Sequence, residues 1–105
     1  MPGLDYAELR RRITMRRVLG LLNYRPTTCR GDQWHGPCPL CGPAGPGRRE
    51  RHFSVHVGRH IFHCHRCGAS GNVLDLWCQL TSLPLYAAGL DLCERLQEPP
   101  PWLRR

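Results

Sequence analysis

The chain has 105 residues and a formal net charge of +7, and all 15 of its basic residues are arginine. This length suits one small domain, whose apolar core alone gives a modest stability margin. Since no run of about 18 apolar residues and no apolar leader segment occurs, we predict no membrane contact and a cytoplasmic chain with reduced thiols.

Residues 5–23 are predicted to form two short helices. The apolar side chains from Met15 to Leu22 recur at the spacing of one helical face. Thr14 is a candidate N-cap for the second helix, and Pro26 ends it. We therefore expect this pair of helices to pack one apolar stripe against the core.

The middle of the chain is predicted to be loops around one β-hairpin. Residues 24–36 have the pattern of a loop or short extended chain, and the proline-rich and glycine-rich stretch after them indicates a turn and a flexible basic loop. Residues 52–57 alternate apolar and polar side chains, which predicts a strand. A tight turn at residues 58–59 then leads into a second predicted strand over residues 60–63.

Two more helices are predicted in the last third. The apolar residues from Val73 onward have helical spacing, with Asn72 or Ser70 as the N-cap. A further helix is predicted to begin near Ser82–Pro84, because serine can cap a helix and proline is tolerated in a first turn. That helix should bury Leu85, Ala88, Leu92 and Leu96. We predict one domain over residues 1–98 and a disordered tail of proline and arginine over residues 99–105.

Two C-x-x-C pairs carry the clearest chemical signal. Cys38 and Cys41 form the first pair, and Cys64 and Cys67 form the second, with 22 residues between the pairs. In such a turn both sulfurs can reach one zinc ion, and the spacing is close to a common zinc pattern. Four protein ligands leave no open position, so we predict one structural Zn²⁺. A redox role for one pair, or a histidine ligand in place of a cysteine, is the alternative.

The positive charge is concentrated in one part of the chain. Residues 1–66 contain twelve arginines and four acids, whereas residues 67–105 contain three arginines and four acids. A concentrated basic region is typical of proteins that bind a polyanion, usually a nucleic acid. Ordinary solvated surface is the alternative, and the charge alone does not decide between the two.

The motifs, taken in order, closely resemble the zinc-binding domain of bacterial DnaG-type DNA primases, whose zinc finger is of the Cys-His-Cys-Cys type. The resemblance spans roughly residues 8–97. It rests on ligand pairs, a strand with a basic turn, an aromatic strand and a glycine-led helix start, which here are Cys38-Pro39-Leu40-Cys41, Phe53-Ser54-Val55, Arg59, Phe62-His63-Cys64, Cys64-His65-Arg66-Cys67 and Gly71-Asn72-Val73.

The resemblance implies an α+β fold, a small zinc ribbon with an antiparallel β-hairpin sheet flanked by N-terminal and C-terminal helices. It also implies a zinc-dependent DNA-binding module that recognises single-stranded template for primer initiation in DNA replication. Two residues depart from the family pattern: Cys41 stands where histidine is common, and Asn72 where aspartate is usual. The eight acids are scattered, so we predict no catalytic residue here, and primase activity would need a separate catalytic domain or partner.

Candidate DNA contacts are the basic side chains of the loop, the hairpin and the second ligand pair: Arg48, Arg49, Arg51, His56, Arg59 and Arg66. Trp34 and Phe62 are candidates for stacking on bases, although core packing is the preferred interpretation for Phe62. Predicted partners are single-stranded DNA and a separately encoded primase catalytic subunit or helicase. The alternative is a protein-interaction ribbon of a replication or mobile-element system, which predicts an exposed apolar patch around Trp77, Leu85 and Leu92.

Overall fold

The computed structural model describes residues 3–42 and 51–104. Within these ranges helices stand at both ends of a β-sheet region, which confirms the α+β class. The elements in chain order are α1 (Tyr6–Arg12), α2 (Met15–Leu21), β1 (Thr28–Arg30), β2 (Gln33–Gly36), β3 (Phe53–His56), β4 (Ile61–Cys64), β5 (Ser70–Asn72), α3 (Val73–Thr81) and α4 (Leu85–Arg95). No helix in these ranges is long and apolar enough to cross a membrane.

The strands form one antiparallel sheet in the order β1-β2-β3-β4-β5. The predicted hairpin is β3 and β4, and it lies in the middle of this sheet. The hairpin of β1 and β2 was not predicted, because strands of three and four residues are too short to show an alternating pattern. It is secured by pairing with β3, in which Trp34 lies opposite Val55.

One face of the sheet packs against the helices. Phe53 and Val55 of β3 are fully buried, and Phe62 of β4 is 3% exposed. The rings of Phe53 and Phe62 stack with centroids 5.8 Å apart, and Tyr24 meets Phe53 edge-on at 5.7 Å. Trp77 of α3 is 4% exposed and also belongs to the core. Core packing, the preferred interpretation of Phe62, is confirmed.

The N-terminal helices are positioned by caps and by contacts distant in sequence. Thr14 caps α2 as predicted, and its hydroxyl accepts a hydrogen bond from the Arg17 amide at 3.3 Å. In the β3–β4 turn, Nδ1 of His60 accepts the Met15 amide at 3.0 Å, so a residue of the ribbon satisfies an unpaired donor of the helix start. The Arg17 guanidinium donates to Glu98 at 2.7 Å and links α2 to the chain after α4.

The C-terminal helices differ from prediction at one boundary. Asn72, not Ser70, caps α3 in a capping box with Asp75. Ser82 does not cap α4, since it ends α3 in the left-handed conformation with φ 58°. Leu85 is also not buried by α4, because it lies in its first turn with 45% of its surface exposed.

The end of the chain runs beside its beginning. The Asp5 amide donates to the Pro101 carbonyl at 2.7 Å, and the Leu103 amide donates to the Gly3 carbonyl at 2.8 Å. These hydrogen bonds give residues after position 98 a partner in the fold. The division of the chain at residue 98 and the disorder of the tail stay predictions, and these contacts argue against the disorder.

Candidate metal centre and outer sheet face

The two C-x-x-C pairs adopt the same turn. In each, the amide of the following glycine donates to the carbonyl of the first cysteine: Gly42 to Cys38 at 3.0 Å, and Gly68 to Cys64 at 2.9 Å. Both glycines have positive φ, 82° and 79° respectively, a conformation that glycine adopts at little cost. Each turn thus closes on itself and presents two sulfurs on one side.

The four sulfurs converge on one point. All lie within 4.8 Å of one another, with 3.7 Å between Cys41 and Cys64 and 4.0 Å between Cys38 and Cys67. A zinc ion with four thiolates at about 2.3 Å requires sulfur separations of roughly 3.8 Å. The donor set and its spacing therefore fit a tetrahedral zinc ion.

Backbone amides point at the sulfurs. The Leu40 and Cys41 amides lie 3.3 and 3.4 Å from the sulfur of Cys38, and the Cys67 amide lies 3.4 Å from the sulfur of Cys64. An N–H group directed at sulfur stabilises the thiolate over the thiol. The turns therefore prepare their cysteines for the charged form that binds metal.

The two buried cysteines hold their protons differently when no metal is bound. Burial raises the pKa of Cys38 to about 12. Burial also acts to raise the pKa of Cys64, but hydrogen bonds from the Cys67 and Arg66 amides and from neighbouring thiols outweigh it and lower this pKa to about 7.

Comparison with known proteins places this centre in a family. The CHC2 zinc finger, the zinc ribbon of DnaG, matches residues 4–99. The chain belongs to the DnaG zinc-ribbon family. Its four clustered cysteines form a zinc-binding site for one structural zinc, as predicted.

Relatives of this DnaG-type ribbon are DNA primases. The DNA primase of Geobacillus stearothermophilus is 30% identical over 95 residues, which covers 90% of this chain and 15% of the relative. That of Synechocystis is 29% identical over 90 residues, covering 86% and 13%. A solved structure of the Aquifex aeolicus primase, with its zinc-binding and RNA polymerase domains, superimposes on this chain with a TM-score of 0.71 at 23% identity. The match covers 92% of this chain and 22% of the Aquifex chain. The chain spans a small fraction of these relatives.

Arg66 joins the two turns of the ribbon. Its guanidinium donates to the carbonyls of Cys41 and Gly42 at 2.9 and 2.6 Å. The arginine inside the second C-x-x-C thereby holds the end of the first. This use of the guanidinium favours a supporting role at the metal over a DNA contact, and the predicted DNA contact stays a prediction.

We expect Arg66→Ala to weaken zinc binding about 10-fold to 100-fold, the usual effect of losing a group that supports a metal ligand. The measurement is zinc transfer to a competing chromogenic chelator. Arg51→Ala is the matched control, because it removes an exposed arginine outside both turns. Equal zinc retention in the two variants would contradict the supporting role.

The outer face of the sheet, turned away from the core, carries two rows of side chains that run across the strands. Within the strands neither row contains an acid, and the Gln33 side chain donates to Ser54 at 2.6 Å. The first row is Thr28, His35, Ser54, His63 and Ser70. The second row is Arg30, Gln33, His56, Ile61 and Asn72.

Some predicted DNA candidates lie on this outer face. His56 is in the second row, and Arg59 lines a shallow cleft of about 230 Å³ with His56 and His63. Arg51 is exposed just before β3. Arg48 and Arg49 lie outside the described residues.

Sequence reasoning missed Arg30, His35 and Gln33, which lie on the outer face because of the unpredicted hairpin. The Gly31-Asp32 pair between β1 and β2 was the available signal, since such a dipeptide between short extended segments indicates a hairpin.

The structure limits two of the alternatives. Trp34 and Phe62 lie on the inner face of the sheet, so neither ring can stack on a base bound to the outer face. The apolar patch predicted by the protein-interaction alternative does not form, because Trp77 and Leu92 are buried and only Leu85 of that set is exposed.

Proposed function

We propose that this chain is a zinc-dependent DNA-binding module of the DNA-primase type, which recognises single-stranded template for primer initiation. The observation that supports this most is the outer face of the sheet, where histidine, amide, hydroxyl and arginine side chains, with one isoleucine among them, form two acid-free rows. Family membership supports the primase setting. In this proposal the polymerase chemistry belongs to a separate catalytic domain or partner, and the module works in the cytoplasm.

The two rows suit single-stranded DNA in length and chemistry. Each row crosses five β-strands, which are separated by four spacings of about 4.8 Å, so a row is roughly 19 Å long, enough for a few nucleotides. Arg30 and Arg59 can bind phosphates, while His35, His56 and His63 can stack on or hydrogen-bond to bases. Unpaired bases expose the faces and edges that such side chains need.

Zinc has an indirect part in this proposal. Cys64 ends β4 and pairs with Phe53 across the centre of the sheet. Without the metal the sheet would lose this anchor, and its outer face would lose the spacing of its rows. DNA binding should therefore depend on zinc although the metal touches no nucleotide.

The test is fluorescence anisotropy of labelled single-stranded oligonucleotides with zinc-loaded protein across a range of salt. For Arg30→Gln/Arg59→Gln we expect binding at least about 10-fold weaker and a salt slope smaller by about 1.4, the share of two phosphate contacts. Arg10→Gln/Arg11→Gln is the matched control, since it removes the same charge from the exposed side of α1.

Equal weakening in both double variants would mean that bulk charge, not the outer face, drives binding. A preference for duplex DNA would contradict template recognition. No binding by folded, zinc-loaded protein at low salt would overturn the proposal in favour of a protein partner.

A further inference from the structure

A second cleft opens on the other side of the sheet. It has a volume of about 360 Å³ and lies between α2, the chain just after it, and β2. Arg16, Gly20, Asn23, Arg25 and Trp34 line it. Its volume is within the usual range of small-molecule sites, about 300–1,000 Å³. None of these residues belongs to the outer face or to the zinc centre.

Trp34 gives the cleft a fixed aromatic wall. Trp34 belongs to β2, which pairs with β1 on one side and with β3 on the other, and Cys29 and Val55 lie directly opposite Trp34. Its indole N–H donates to the Gly31 carbonyl at 3.2 Å. Whereas Val55 is fully buried, Trp34 is only partly buried. A held but accessible indole is a platform on which a flat ring can stack.

Two cations flank this wall. The Arg16 guanidinium lies over the face of the Trp34 ring, 5.0 Å from its centre, in a cation–π contact that a stacked base would replace. Its carboxylate partner, Asp32, is 3.8 Å away, and both side chains are more than half exposed, so this ion pair holds Arg16 weakly. Arg25 is exposed and forms no ion pair with any residue in the described ranges. Both guanidiniums can therefore turn toward a bound anion.

The third feature is a glycine that packing does not explain. Gly20 lies within α2, where glycine costs about 0.5–1 kcal/mol relative to alanine. A Cβ added to Gly20 would meet no atom within 4 Å, whereas one added to Gly89 of α4 would meet Leu4 and Leu9 at 3.1 and 3.2 Å. Gly89 is thus explained by close packing. Gly20 faces open space in the wall of the cleft, so a large side chain at this position would fill it.

We propose that this cleft binds a nucleoside phosphate, with the base against Trp34 and the phosphates between Arg16 and Arg25. The Asn23 side chain, at the rim, is placed to hydrogen-bond the base or sugar. The chemistry is shared by a free nucleoside triphosphate and by the terminal nucleotide of a strand. The site is separate from the outer face and does not rest on the proposed function.

The test titrates zinc-loaded protein with GTP, ATP, CTP or UTP and follows the indole N–H signal of Trp34 by NMR, assigned with Trp34→Phe. We expect a saturable shift. Because base stacking on one aromatic ring is usually worth about 10-fold or more in affinity, Trp34→Ala should weaken binding at least about 10-fold. This variant lacks the indole signal, so its binding is followed by the backbone amide signals of Gly20 and Asn23, which also line the cleft. Gly20→Leu should weaken binding to the same extent by filling the cleft without a change in charge, and Gly20→Ala is its matched control, expected within about 2-fold of the parent.

Two further arms separate the possible ligands. The proposal would be overturned if inorganic triphosphate bound as tightly as GTP, because the base would then contribute nothing. It would also be overturned if GTP bound the Gly20→Leu variant as tightly as the Gly20→Ala variant, because a base held in the cleft would clash with the leucine. An oligonucleotide that shifts Trp34 and competes with GTP in the Arg30→Gln/Arg59→Gln background would support a terminal nucleotide. A shift by GTP alone would support a free nucleotide. If the parent protein showed a GTP shift but bound no oligonucleotide, the result would count against the outer face only.

Discussion

Removal of zinc is expected to abolish the cooperative thermal unfolding of the ribbon at neutral pH. Structural zinc in small four-ligand domains binds with about 10–16 kcal/mol, which matches or exceeds the whole stability of a typical domain, about 5–15 kcal/mol. Here the metal links two turns that lie in different parts of the chain. Two of its ligands, Cys38 and Cys64, lie within the buried core. Cys64→Ser should act as chelation does.

Circular dichroism during a thermal scan, before and after chelation, measures this effect. Cys29→Ser is the matched control, because Cys29 is exposed in β1 and lies outside the sulfur cluster. It should melt like the parent protein. An unchanged spectrum and an unchanged melting transition after the metal has left would show that the helices and sheet hold together without it.

The same centre predicts a direction for the effect of pH. Zinc binds thiolates, so its binding releases protons, and acid weakens it. Burial raises the pKa of Cys38 to about 12, so zinc binding must displace a proton from this thiol into solvent at any pH near neutrality. Zinc affinity should therefore fall steadily as pH is lowered through neutrality. A zinc affinity that stays constant from about pH 8 to about pH 6, an interval around neutrality, would contradict thiolate ligation.

Gly71→Ala is expected to destabilise the fold by about 3 kcal/mol or more. Gly71 is the middle residue of β5 and has φ 143°, a conformation that side-chain-bearing residues rarely adopt, and such strain costs about 1–3 kcal/mol. A Cβ there would also lie 2.5 Å from Cβ and 2.6 Å from Cγ of Asp75. Since the Asp75 carboxylate accepts the Asn72 amide at 2.8 Å, the substitution disrupts the capping box of α3, worth about a further 1 kcal/mol.

Thermal denaturation of zinc-loaded protein gives the measurement. Gly31→Ala is the matched control: Gly31 also has positive φ, 57°, but a Cβ there meets nothing within 4 Å. It should cost only the intrinsic penalty of the left-handed region, about 1–2 kcal/mol. At about 4–8 °C for each kcal/mol in a domain of this size, the two variants should melt several degrees apart. Equal melting temperatures would rule out the steric conflict with Asp75.

The metal centre, the helices and two of the caps were readable from the sequence, for a local reason. Each C-x-x-C turn brings its two sulfurs together within four residues, and zinc chemistry requires that two such turns meet. Thr14 and Asn72 cap helices through hydrogen bonds to residues two or three positions away. The apolar stripes depend on a spacing of three or four residues. Such short-range features do not depend on the rest of the fold.

The faces of the sheet were decided only by tertiary structure. Arg30 reaches the outer face, and Trp34 the inner one, because a hairpin of short strands pairs with β3 in a single register. A shift of one residue would exchange the two faces, and neither strand is long enough to specify the register by its own pattern. Arg66 likewise gains its partners from a turn 24 and 25 residues away. The sequence by itself therefore determined what holds the ribbon together, while long-range strand pairing decided which side chains the ribbon presents to a ligand.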